Sequence, residues 1–365
     1  MTFPCASKES PQIALNLKGA KPFRRETSSG QPLKRLLPGV KRTGMKIRVL
    51  LFGLAACATL CAATENVCAK IFPKIFETNL GSGRLFGDEP LAAGTGTVGA
   101  FDGTTGTFDP AFVLGLHGPV GIVVSGGDLF VVNHATGTIG EYDATTGMPV
   151  NPALITGLHG PAGIAVSGGL LFVANQAKGT IGEYTTSGAT VNASLITGLH
   201  GPVGIEVSGG DLFVVNHAKG TIGEYTTSGA TVNANLITGL KGAEDIAASG
   251  GNLFVTNFSN GTIGEFTVSG VTVDRNLISG LHGPQGIAVL GDELFVINHG
   301  NGTIGQYTTS GAAVNPALIS GLHGPQGITI VAVSGSVPDA SSSWLLLLLG
   351  LIATFGLKII VRQPA

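Results

Sequence analysis

Short apolar runs and polar turns alternate along most of this chain with a fixed beat. Beginning at Gly121, "GIVVS" is a brief β-type run, "GGD" supplies a tight turn, and "LFVVN", "TIGEY" and "PALIT" follow as three more short runs. Such a unit predicts four strands joined by tight turns. The marker "GLxG" starts at Gly115, Gly157, Gly198, Gly239, Gly280 and Gly321, so the unit recurs at 42, 41, 41, 41 and 41 residues. Self-similarity at that period predicts a propeller or a solenoid. Ile, Val, Leu and Phe return at the same places in each copy, where they can fill the gaps between sheets at roughly 1.5 to 3 kcal/mol per buried side chain.

The ends of the pattern choose between the two architectures. After "GPQGITIVAV" the repeat stops, leaving a first strand without a second, third or fourth. Residues 83 to 114 match strands two to four of a unit, with about three extra residues between Leu85-Phe86 and Thr97-Val98-Gly99. Five whole units and one assembled from both ends predict an all-β, six-bladed β-propeller over residues 83–333, its four-stranded blades closed by a C-terminal strand, with 64–82 as a linker. A solenoid needs capping units and gains nothing from complementary halves, whereas ring closure leaves few open strand edges.

The repeated "GPxGIAVxGGxLFVxNxxxGTIGEYxxxxG" resembles the NHL-type propeller unit and, more distantly, the virginiamycin B lyase-like propellers. The resemblance implies the six-bladed fold. It implies no single activity, since such propellers include scaffolds, ligand binders and a few lyases. The positions that match are turn glycines and core apolar residues, so no catalytic residue of the lyases is carried over.

Charge divides the chain into three regions behind a net of −2: 11 of its 20 basic residues lie in 1–48, while 64–336 holds 7 basic and 19 acidic residues, 7 − 19 = −12. That balance speaks against nucleic acid as a partner of the repeat region. Residues 1–44 read as a basic, unstructured or non-native start. "MKIRVLLFGLAACATLCAA", residues 45–63, reads as a secretion signal cut near Ala63. Leu54-Ala55-Ala56-Cys57 offers the alternative of a lipidated Cys57. With cleavage at Ala63, Cys68 is the cysteine left, so no internal disulfide is expected. At the other end a Ser-rich linker, 334–343, precedes an apolar segment, 344–362, that is a marginal membrane span followed by basic residues. The order Val337-Pro338-Asp339, apolar helix, basic end resembles a PEP-CTERM sorting signal of the VPD type. This resemblance implies an exosortase-type enzyme as a partner, transient anchoring in the inner membrane, and delivery to the cell surface or extracellular matrix.

All eight histidines fall in the repeats, and meander geometry puts them on one face of the disc. His117, His159, His200, His282 and His323 stand in the "GLHGP" crossovers, and His134, His217 and His299 follow the second strand. One reading makes them a ligand or divalent-metal site, because neutral imidazole binds metals and can act as a base near pH 7. The other makes them copied loop residues that satisfy a turn carbonyl or water. One unit breaks the pattern: "GLKGAEDIAASGGNLFVTNF" puts Lys241 and Phe258 at the two histidine places and adds Glu244 and Asp245. These four are expected to form a polar corner at the channel mouth, or else to reflect drift with a Lys241–Glu244 surface pair. Glu206, where other first strands carry Ala or Val, is a carboxylate in the channel or a relaxed packing position. Glu141, Glu183, Glu224 and Glu265 of the third strands are expected to face solvent, and Asp128, Asp211, Asn252 and Asp292 to form turns on the opposite face. With no nucleophile, base and orienter set in view, the leading expectation is a non-catalytic scaffold that binds protein or exopolysaccharide and needs no cofactor. The rival is a metal-assisted lyase or lactonase that works on the histidine face.

Overall fold

The computed structural model describes residues 71–80, 96–103 and 106–334. The signal segment, the C-terminal apolar segment, Cys57, Cys68 and the Val337-Pro338-Asp339 motif lie outside the described residues. Among the described residues no helix is long and apolar enough to cross a membrane.

Six four-stranded antiparallel sheets form the blades of a propeller. Blade 1 consists of Pro119–Ser125, Asp128–Asn133, Thr138–Asp143 and Pro149–Ile155. Blade 2 begins with Pro161–Ser167, blade 3 with Pro202–Ser208, blade 4 with Ala243–Ser249 and blade 5 with Pro284–Leu290. Each then repeats the same three further strands. Blade 6 joins the two ends of the repeat region, with Pro325–Ser334 as its first strand and Ile71–Asn79, Gly96–Asp102 and Thr107–Leu116 as the rest.

The local chemistry of the unit dictates this form. Ser125 pairs with Asp128 across Gly126 and Gly127, both at positive φ, 64° and 99°, the geometry that a two-residue hairpin turn with the right twist demands. The second strand reads as a continuous apolar run because both its faces are covered. Phe130 and Val132 pack with Ile164, Leu171 and Val173 of blade 2, while Leu129 and Val131 pack with Phe76 and Val98 of blade 6. Alternation along a strand therefore distributes side chains to the two neighbouring blades rather than to core and solvent. Fourth strands at the rim are exposed along most of their length, and register shifts against the third strand break up their pairing.

The closing blade differs from the sequence expectation. Its second strand is Ile71–Asn79, in the stretch read as a linker, and not the segment around Leu85-Phe86. Ile75, Phe76 and Asn79 take the places that Leu129, Phe130 and Asn133 hold in blade 1, pairing with Phe101, Ala100 and Thr97 as those pair with Tyr142, Glu141 and Thr138. Two features disguise the match: Glu77 stands where the other blades carry Val and Thr78 where all but blade 4 carry an apolar residue, and residues 80–95 replace a four-residue loop. Against Ile71–Asn79 the final strand pairs from Ile71↔Ser334 to Asn79↔Pro325, which closes the ring.

Candidate channel-mouth site

Each first strand lines the central channel and carries a β-bulge near its start. In blade 1 Pro119 pairs with Asn133 and Ile122 with Val131, so Val120 and Gly121 together oppose the single residue Val132. The same shift occurs in blades 2 to 5. A bulge re-aims side chains, and here it delivers one residue per blade to the channel mouth: Val120, Ala162, Val203, Glu244, Gln285 and Gln326. The next residue is glycine in five blades for a steric reason. A Cβ at Gly163 would collide with the Val203 carbonyl, one at Gly121 with the Ala162 carbonyl, and one at Gly327 with the Val120 carbonyl. Blade 4 alone places a side chain there, Asp245. It bridges to blade 5, its Oδ2 accepting the Ile287 N–H at 3.1 Å, while its own N–H is 2.8 Å from Thr256 Oγ1.

The mouth is a cavity of about 120 Å³ that leads to a channel of about 250 Å³. Its two sides differ: the bulge residues Val120, Ala162 and Val203 form an apolar arc, with His134 and Gln176 beside it, and Glu244, Asp245, Gln285 and Gln326 form a polar one. Glu206 lies on the channel wall just below, among Ile and Val side chains. Burial dominates the electrostatics. It pushes Glu206 up to about 8, with Asp245 adding repulsion, and Asp245 up to about 6 against the backbone N–H groups of Ile287 and Ile246. Glu244 is raised to about 7 by burial, partly offset by His217 and reinforced by Asp245. These shifts have the sign expected of carboxylates taken from water with too little positive charge nearby.

The eight histidines do occupy one face, but in two different rings. His134, His217 and His299 sit at the inner ring, each donating from Nδ1 to the first carbonyl of the next blade: Pro161 at 2.9 Å, Ala243 at 3.0 Å and Pro325 at 3.0 Å. His134 lines the mouth, His217 Nδ1 is also 3.2 Å from Glu244 Oε1, and His299 Nδ1 is 3.0 Å from the Gln326 amide. The crossover residues His159, His200, His282 and His323 are exposed, and His117 is half-buried; none of the five lines the mouth. Among the described residues no three His, Cys, Asp or Glu side chains are grouped so as to hold a metal ion.

Three further expectations are corrected. Glu244 partners His217 and not Lys241. Lys241 lies in a separate cleft of about 190 Å³ with Arg275, Asn260 and Asn276, because the crossover turns it away from the bulge that aims Glu244 inward. Phe258 packs over Gly283 and tilts against His299, ring centroids 6.5 Å apart, rather than closing the mouth. Of the third-strand glutamates, Glu183 and Glu265 are buried instead of facing solvent, Glu265 accepting a 2.7 Å bond from the turn residue Asn252. Sequence reasoning passed over Gln176, which takes the place of His134 in blade 2, and Gln285 and Gln326. The signal of the last two was available: they occupy the position of Glu244 within "GPQG".

Comparison with protein-family models and with curated proteins finds no match for this chain. Solved structures do match. One is from a nidogen/laminin complex, at 15% identity and a TM-score of 0.58, covering 71% of this chain and 98% of that one. Another is a streptogramin B lyase, at 19% identity and 0.50, covering 70% and 91%. A third is a catalytically inactive virginiamycin B lyase from Staphylococcus aureus with quinupristin, at 22% and 0.45, covering 61% and 71%. At these identities the likeness is one of fold, and the chain is an all-β six-bladed propeller.

Proposed function

We propose that this protein is a non-catalytic binding propeller that docks a protein or polysaccharide partner on its histidine-bearing face, with the channel mouth as anchor. One observation carries the reading: a ring built from near-identical copies is broken at its inner edge, so that the bulge residues of a concave mouth are Val120, Ala162 and Val203 in three blades and Glu244, Gln285 and Gln326 in the other three. Concave sites with a few convergent polar groups are where ligands bind. Among the described residues the mouth is lined by no Ser, Thr or Cys that could serve as a nucleophile. Export through the signal segment, sorting by an exosortase-type enzyme and delivery to the surface or matrix are part of the same proposal. They rest on the sequence of residues 45–63 and 337–362.

A second reading, a lyase or lactonase, is favoured by the His217–Glu244 pair at 3.2 Å beside Asp245, since paired titrating groups near neutrality can exchange protons with a substrate. One experiment separates the two. Ala162→Trp plugs the apolar arc without altering charge, and retention on matrix from the producing cells is compared with that of the unaltered chain. A loss of about tenfold or more supports anchoring at the mouth. Unchanged retention, or turnover of cyclic esters by the unaltered chain with or without added Mg²⁺, overturns the binding reading.

A further inference from the structure

Carboxyl groups line both spaces: Glu244 and Asp245 the mouth, and Asp245 and Glu206 the channel. Asp245 Oδ1 lies over Gly204, 2.9 Å from where a Cβ of that residue would stand, on the side of the blade that carries Glu206. Among the described residues no Lys or Arg lines either space. Facing these carboxyls from the neighbouring blades are His217, 3.2 Å from Glu244, and His134 and Gln326 across the mouth. An independent observation comes from Gln285. Its side chain is 6% exposed and lines the same cavity, yet its Oε1 has no hydrogen-bond partner. Buried acceptors are ordinarily paired, and one left open at a cavity calls for a donor. The mouth thus combines carboxyl groups with an unpaired amide oxygen, and among the described residues no side-chain cation other than a histidine stands beside them.

Resting on the binding reading above, we propose that the channel mouth receives a primary alkylammonium group, the end of a lysine side chain of a protein partner, held by Glu244, Asp245 and the Gln285 carbonyl, with Glu206 below in the channel adding negative charge. An ammonium has three donors and no acceptor, which matches a site that offers carboxylates and an amide oxygen. The apolar arc of Val120, Ala162 and Val203 gives the methylene stem a surface to lie on, as lysine stems do elsewhere. A linear tip suits this narrow mouth better than a ring. The repeat region as a whole is acidic, with 19 acidic against 7 basic residues in 64–336, and a net negative charge favours the approach of a cationic partner.

Proton linkage makes the idea testable. Burial holds Glu206 at about 8, Glu244 at about 7 and Asp245 at about 6 in the free protein. A bound cation favours their ionised forms, so binding near neutral pH releases protons and strengthens as pH rises.

Calorimetric titration of the full chain with Nα-acetyl-lysine methylamide, its Nε-acetylated derivative and glucosamine tests the assignment. The expected result is binding of the free-amine lysine compound alone, about tenfold or more tighter at about pH 8.5 than at about pH 5.5. Heats that differ between buffers of different ionisation enthalpy would report proton release. Glu206→Gln and Asp245→Asn should each weaken binding by about tenfold. Both remove a buried charge, so a thermal melt at least equal to the unaltered chain at about pH 8 certifies that they fold. Equal binding of the Nε-acetylated compound, tighter binding of glucosamine, or no binding overturns the proposal. If these variants bind no amine but keep full matrix retention while Ala162→Trp loses it, the ammonium assignment falls and docking at the mouth stands.

Discussion

Blades 4 and 6 are the two that depart from the repeat, and they depart in different places. Both carry threonine where other second strands have Val, Ala or Ile, at Thr256 and Thr78, and both carry phenylalanine where the other four blades have tyrosine, at Phe266 and Phe101. In blade 6 the larger change is internal. Glu77 takes the place of Val131 and its counterparts, 1% exposed; Asn79 Nδ2 donates to its Oε1 at 2.7 Å, while Glu77 Oε2 and Asn79 Oδ1 stay buried without a partner. In blade 4 the changes fall on the mouth, where Glu244 and Asp245 are only partly compensated within the fold. A departure sealed inside an interface between blades can be met only by its neighbours and by keeping its proton. A departure at a concave edge borders a cavity, where a ligand can reach it.

The sharpest way to break this contrast is to move the blade 4 feature elsewhere. Gly163→Asp drives a side chain into the Val203 carbonyl and should destabilise by about 3 kcal/mol or more, whereas Asp245→Gly, which restores the consensus, should leave a folded ring. Denaturant unfolding of the two variants checks this, and equal stability would sink the steric account of the glycine ring.

Next comes Glu77. Its folded pKa is raised to about 8 from 4.5, so the folded state holds a proton that the unfolded chain gives up earlier. Stability from this group is full below about pH 4.5 and is lost as pH rises toward about 8. Glu77→Gln keeps an acceptor for Asn79 and should be the more stable form at about pH 8 by on the order of 3 kcal/mol, with little difference near pH 4. Unfolding curves across that range test the sign. Glu206, Glu244 and Asp245 are also raised and push in the same direction, so the unaltered chain should itself lose stability over this window.

A smaller effect separates tyrosine blades from phenylalanine blades. In blade 3 Tyr225 is hydrogen-bonded to Asn216, a bond that Phe266 cannot make with Asn257 in blade 4. Tyr225→Phe should cost, and Phe266→Tyr should gain, about 1 kcal/mol, read as opposite shifts in melting temperature. The smallest effect is expected at the outer histidine ring. His282→Gln, on an exposed side chain, should change stability by less than about 0.5 kcal/mol and leave matrix retention intact, in contrast to Ala162→Trp.

Much of the architecture was legible because a propeller repeats a local decision. A two-glycine turn, a doubly covered "LFVV" strand and a 41-residue period need only short-range chemistry to be recognised, and complementary ends need only counting. The second strand of blade 6 escaped because its two middle residues, Glu77 and Thr78, hide the apolar run. "IFETN" still shares its leading aliphatic–Phe pair and its asparagine with "LFVVN". At the mouth, the sequence singled out Glu244 and Asp245 as breaks in a pattern but joined them to Lys241 and Phe258, which the bulge and the crossover send to other places.

The sequence alone therefore determined the number of blades, the way the ring closes and the face on which the histidines lie, since each follows from periodicity and strand order. Only the tertiary structure decided which of those residues meet. The bulge in every first strand arises from register between strands, and the glycines beside it answer to a carbonyl in the next blade, about 40 residues away. The burial that raises Glu206, Glu244 and Asp245 likewise exists only once six separate segments have closed around one axis.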